Sequence, residues 1–214
     1  MIEHKTISLA DQVFEHLETD ILSGKYQRGE CLTESKLSVE LGVSRTPIRE
    51  ALRRLEQEHL IEEAPKGVVV VGIGEKDLED IFSIRIKLEG QAGEMAAANH
   101  TDEQLELLRE ALEFQEFYLK KHDPDRIKSM DSLFHETIYK MSDSAIFYDV
   151  LVPLHKKILK YRRASLSNTS RAEASVSEHR AIYEAIAARD SELASKLIIE
   201  HLENAYHNIC KKEK

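Results

Sequence analysis

The stretch "LGVSRTPIREALRRLEQEHL", Leu41 to Leu60, places four arginines and a Gly-Val-Ser-Arg turn in a 214-residue chain of formal net charge -9. Gly42 closes a short helix that Thr33 opens. Ser44 is the N-cap of the next helix, and Pro47 sits in its first turn, where a missing N–H costs little. Upstream, Ile7 to Ser23 carries Leu9, Val13, Leu17 and Ile21 on one stripe, and Gly24 ends it. Downstream, the arginine helix runs to about His59. The β-branched run Val68 to Val71, behind Pro65-Lys66-Gly67, then predicts a two-stranded hairpin. Three helices followed by a hairpin, with a tight glycine between the second and third, form a winged helix-turn-helix pattern over residues 1–74. In that motif the third helix enters the major groove of DNA.

Charge supports this placement locally but not globally. Residues 1–74 hold 9 Lys/Arg against 13 Asp/Glu, so bulk charge would repel DNA. Residues 44–54 hold Arg45, Arg49, Arg53 and Arg54 against Glu50 alone. Arg45 and Arg49 share a helix face and can each fork onto guanine. Ser44 and Thr46 can bind phosphate oxygens, and Lys66-Gly67 at the wing tip can approach a minor groove. A basic surface helix with no DNA role would carry the same arginine count, so the order of elements decides between the two readings.

Composition bounds the rest. Hydrophobic residues make up 42% and charged ones 32%, as in an ordinary soluble protein. No apolar run approaches the ~20 residues of a membrane span. The N-terminus lacks a signal-peptide core, and Cys31 and Cys210 form no pairing pattern. A cytoplasmic protein is expected. Gly72-Ile73-Gly74 marks a boundary, and residues 75–214 read as helices only. About six are expected, over 75–98, 102–121, 125–141, 144–164, 171–188 and 191–210. The fold class is mainly α: a winged head followed by a helical bundle.

The bundle's apolar stripes are interrupted by polar residues. Asp131 and His135 lie on the stripe Ile127, Met130, Phe134, Ile138 and Met141, one turn apart. His179 lies among Ala172, Val176, Ile182 and Ile186; His201 lies among Ala194, Leu197, Ile198, Leu202 and Ala205. His179 and His201 are each eleven residues from Asp190 in the intervening turn. Antiparallel packing of their helices therefore brings them to one height. A buried polar side chain is unfavourable unless satisfied. One hydrogen-bonded core histidine is commonplace, but one carboxylate and three imidazoles on three stripes suit a divalent metal, zinc or nickel foremost. His155 borders its own stripe and is expected only in support of such a site. Arg162 and Arg163 are expected as a solvated basic helix end.

The run Gly-Val-Ser-Arg-Thr-Pro-Ile-Arg-Glu-Ala-Leu-Arg-Arg-Leu-Glu resembles the DNA-reading signature of GntR-family bacterial transcription regulators over residues 8–72. Ser35 stands where some relatives carry a DNA-contacting arginine. Residues 75–210 resemble the FCD effector domain of the FadR subfamily. The matching pieces are Arg85-x-x-Leu88-Glu89, Asp131-x-x-Phe134-His135, Glu178-His179-Arg180-x-Ile182 and His201. The resemblance implies that Asp131, His135, His179 and His201 hold a metal and that Arg85 holds an effector. The function expected is a homodimeric, ligand-responsive regulator binding a two-fold double-stranded DNA operator, with a small carboxylate as effector. Two other classes carry some of the same features: a metal-dependent enzyme, and a constitutive DNA-binding protein with a purely structural metal. No nucleophile or general-base motif supports the enzyme.

Overall fold

A computed structural model describes residues 7–212. The chain divides into two compact units, 1–74 and 75–214.

The first unit opens with α1 (Leu9–Ser23). Ser8 and Asp11 exchange capping bonds at its start, and Gly24 closes it in the left-handed region. Ile7, expected inside this helix, precedes the cap. The strand β1 (Cys31–Leu32), the helices α2 (Glu34–Leu41) and α3 (Arg45–Gln57), and the strands β2 (Ile61–Ala64) and β3 (Gly67–Val70) follow. The turn between α2 and α3 passes through Gly42 at φ 66°, which a side chain would strain. The expected hairpin is present as β2 and β3, and β1 joins it as a third strand, giving an antiparallel sheet in the order β1-β3-β2 that pairs Cys31 with Val69 and Ile61 with Val70. The two-residue β1 is too short to show a period in sequence. Gly67, at φ 125°, starts β3 where a Cβ would collide with the Leu32 carbonyl. Leu17, Leu32, Leu37, Ile48, Leu55 and Leu60 lie in the core and hold α3 against the other elements.

The second unit is wholly helical among its described residues: α4 (Glu75–Asn99), α5 (Asp102–Lys120), α6 (Pro124–Met141), α7 (Ala145–Lys157), α8 (Leu159–Leu166), α9 (Thr169–Ala187) and α10 (Ser191–Lys212). The helix expected over 144–164 is two helices, α7 and α8, which break at Ile158 (φ -101°, ψ 3°). Pro153 lies inside α7; it removes one ladder donor near the break. The break redirects α8, and with it Arg162. No helix among the described residues is long and apolar enough to cross a membrane.

Candidate metal centre and DNA-reading surface

α6 supplies Asp131 and His135, α9 supplies His179 and α10 supplies His201, and all four side chains are buried. The turn after α9 folds α10 back antiparallel, so the two histidines equidistant from Asp190 meet with His179 Nε2 and His201 Nε2 3.3 Å apart. One ligand atom from each of His135, His179 and His201 lies within 4.8 Å of the other two. Phe134 stacks on the His179 ring at 4.4 Å and walls one side.

The outer partners fix the tautomers. Gln115 of α5 donates its Nε2 to the Met130 carbonyl at 3.1 Å, so its Oε1 faces His179 Nδ1 at 2.6 Å. An amide oxygen only accepts, so His179 Nδ1 carries the proton. His201 Nδ1 donates to Glu178 at 2.6 Å, and His135 Nδ1 donates to Glu89 at 3.0 Å. Each of these carboxylates is itself held. Glu178 takes both prongs of Arg171 at 2.8 Å and Asn204 Nδ2 at 3.1 Å. Glu89 pairs with Arg85 at 2.5 Å. Burial disfavours charge on Glu89, yet the Arg85 guanidinium and His135 hold its carboxyl well below the usual range.

With every Nδ1 protonated, three Nε2 lone pairs are left over. Those of His179 and His201 face each other without a proton between them, and His135 Nε2 is buried with no hydrogen-bond partner. Such an arrangement is repulsive by itself and becomes favourable around a cation. Burial pushes the His179 and His201 pKa well below the ordinary histidine range, toward the neutral form that ligates. The residues therefore fit a divalent metal. Gln115, Glu89 and Glu178 are the supports that tie each ligand's outer nitrogen.

Asp131 sits at the edge of this cluster. Its Oδ1 is 3.8 Å from His179 Nε2, and the same carboxylate is paired with Arg162. Burial opposes its ionisation, but the Arg162 guanidinium holds its pKa far below the carboxylate range. Arg162 is thus not the solvated helix end that the sequence suggested. It is 2% exposed, because the break at Ile158 turns it inward, whereas Arg163 does lie at the surface, paired with Asp125. His155 is buried in the same chamber. It accepts from Arg85 Nη2 at 3.1 Å through Nδ1 and turns its Nε2–H to Ser132 Oγ at 3.2 Å. Arg85 lies 1% exposed between Glu89 and His155, next to Tyr139. Its side chain is a structural hub of the chamber as well as a candidate anion holder.

In the first unit, α3 buries Pro47, Ile48, Ala51, Leu52 and Leu55. Ser44, Arg45, Thr46, Arg49 and Arg53 are exposed on the other side. Ser44 occupies the N-cap but makes no side-chain cap bond. Arg49 forks onto Glu34 at the start of α2, at 2.7 and 2.8 Å. Arg54 is used within the fold, on Asp11 and over the Phe14 ring at 3.9 Å. Lys66 and Gly67 are exposed at the β2–β3 turn.

This winged head and helical bundle match two family models, the "Bacterial regulatory proteins, gntR family" over residues 9–71 and the FCD domain over residues 80–204. The chain belongs to the GntR family of bacterial transcription regulators and carries an FCD domain, as in the FadR-like subfamily. It is 30% identical over 192 residues to the uncharacterized HTH-type transcriptional regulator YdhC of Bacillus subtilis, across 89% of this chain and 86% of that one. The gluconate operon transcriptional repressor of Bacillus licheniformis is 32% identical over 193 residues, covering 88% and 79%. Among solved structures, E. coli McbR/YncC superposes with a TM-score of 0.84 at 25% identity, covering 98% of this chain and 100% of that one. These families and relatives are DNA-binding transcription regulators and not enzymes.

Proposed function

We propose that this regulator senses a small organic acid at a metal centre in its FCD domain and answers by changing its affinity for a two-fold DNA operator. His135, His179 and His201 would hold the metal through Nε2, with Asp131 as the carboxylate ligand; zinc or nickel suits three imidazoles and one oxygen. The bound metal would supply a Lewis-acid position at which a carboxylate completes the coordination shell. Arg85, in the same chamber, would hold the acid's distal end. The observation that carries this reading is the set of three inward-facing Nε2 lone pairs, each produced by an outer hydrogen bond on Nδ1. That a related regulator is named for a gluconate operon agrees with an acid effector.

In the head, Arg45 and Arg49 would read base edges, Ser44 and Thr46 would bind phosphates, and Lys66 and Gly67 would meet the minor groove. Arg49 would exchange its Glu34 partner for DNA. One recognition helix covers only a few base pairs, so a homodimer is required for a two-fold operator. The acid can shift operator affinity only by its differential affinity for two arrangements, typically ~1–3 kcal/mol.

The test is mass spectrometry of small molecules released from the purified protein, followed by an operator gel shift with the acid so identified. A reversible change in operator affinity supports the reading. An affinity indifferent to every released acid would leave a constitutive DNA-binding protein with a structural metal.

A further inference from the structure

The buried chamber around the three imidazoles is neutral before any cation enters it. Its charges come in pairs: Arg85 with Glu89, Arg162 with Asp131, and Arg171 with Glu178. A divalent ion would therefore bring two positive charges that no group in the chamber balances, and uncompensated buried charge is strongly unfavourable. One of the pairs stands in the ion's way. Asp131 is the one carboxylate that could join the imidazoles, and Arg162 occupies it through Nη2 and, at 3.4 Å, Nε. A carboxylate that gives both its oxygens to a guanidinium fork has less charge to offer a metal. The same guanidinium has capacity to spare: Nη1 is buried without a hydrogen-bond partner, and Nη2 also reaches Ser175 Oγ at 3.4 Å.

We propose that Arg162 shares the effector with Arg85: it yields Asp131 to the metal and takes in exchange a carboxylate of an acid that carries two negative charges, a small dicarboxylate. The inference rests on the metal-centre reading above. It makes metal and acid bind cooperatively. Each relieves what the other creates, the acid by occupying the freed guanidinium and the metal by using the freed Asp131. Such coupling is reciprocal and typically amounts to about 5- to 150-fold.

The experiment measures zinc affinity of the full-length, zinc-free chain by competition with a chromophoric chelator. Succinate and its monoamide, succinamate, serve as probes at equal ionic strength, because they match in length and differ by one charge. Succinate is expected to tighten zinc binding by wild type about tenfold or more, and succinamate by much less. Arg162→Met removes the competitor for Asp131. It is expected to bind zinc more tightly than wild type without any acid, and to lose most of the response to succinate. An unchanged or weaker zinc affinity in folded Arg162→Met, or an undiminished succinate response, overturns the proposal. Should Arg162→Met not fold, wild type alone decides: an equal effect of the two probes, or no effect of either, overturns it. Failure of the underlying reading looks different. In that case wild type binds no zinc, or His179→Ala binds it as wild type does.

Discussion

Gln115 offers a sharp test of how the centre is built, because it touches the chemistry only through His179. Its side chain makes two buried hydrogen bonds, accepting from His179 Nδ1 at 2.6 Å and donating to the Met130 carbonyl at 3.1 Å. Gln115→Leu keeps roughly the volume and removes both. Each polar group left unsatisfied costs about 1–3 kcal/mol, and melting of a domain this size moves about 2–4 °C per kcal/mol. The metal-free protein should therefore lose several degrees. The larger consequence is chemical. Without an acceptor on Nδ1, the imidazole is free to take the other tautomer, with its proton on Nε2 and no lone pair for the metal. Removing such an outer-shell partner typically costs 10- to 100-fold in metal affinity, about 1.4–2.7 kcal/mol. Competition titration with a chromophoric chelator reads the affinity, and calorimetric melting reads the stability. A variant that melts lower yet binds zinc as tightly as wild type would refute the argument that the outer hydrogen bond sets the ligating tautomer.

Other consequences are equally specific. Arg49→Ala should weaken binding to the specific operator by about tenfold to a hundredfold while leaving the fold intact, and unchanged specificity in a gel-shift titration would defeat the docking of α3. Arg85→Met leaves Glu89 buried without its cation, so the bundle should lose about 3–5 kcal/mol in denaturant unfolding; a loss well under 1 kcal/mol would mean that Glu89 is not held as described. The metal-free protein should also lose stability in acid. Burial holds His155, His179 and His201 below their ordinary value of 6.5, so the unfolded chain binds more protons than the folded one. Their neutral forms leave stability intact above pH 6.5. As pH falls below 6.5 it should drop by up to about 1.4 kcal/mol per pH unit for each histidine, until the lowered folded pKa is passed. A stability flat between pH 7 and 5 would contradict the burial.

What could be read from the sequence follows from what periodicity encodes. Asp131, His135, His179 and His201 each interrupt an apolar stripe, and the equal spacing of His179 and His201 from Asp190 brings them to one height once α9 and α10 pack antiparallel. Gln115 carries the same signal, a polar residue on the stripe Leu108, Ala111 and Leu112, and could have been found by it. Glu178 was harder to find: it is partly exposed at the edge of its helix's buried face, beside Arg171, and reaches His201 only because α10 folds beside it. Arg162 was hidden differently. Its inward turn depends on the break at Ile158, and the 3.6-residue pattern runs through that break with no glycine to mark it. The third wing strand was invisible because two residues carry no alternation. The arginine surface was legible in sequence, but not its internal ties: Glu34 lies fifteen residues from Arg49, and Asp11 lies forty-three from Arg54.

The central claim is that three imidazoles converge on one cation, and anomalous diffraction from a crystal grown with zinc tests it most directly. The account predicts a single strong peak per chain about 2.0–2.1 Å from Nε2 of His135, His179 and His201. Density with His179 and His201 Nε2 still at hydrogen-bonding distance, and the anomalous peak absent or elsewhere, would contradict it.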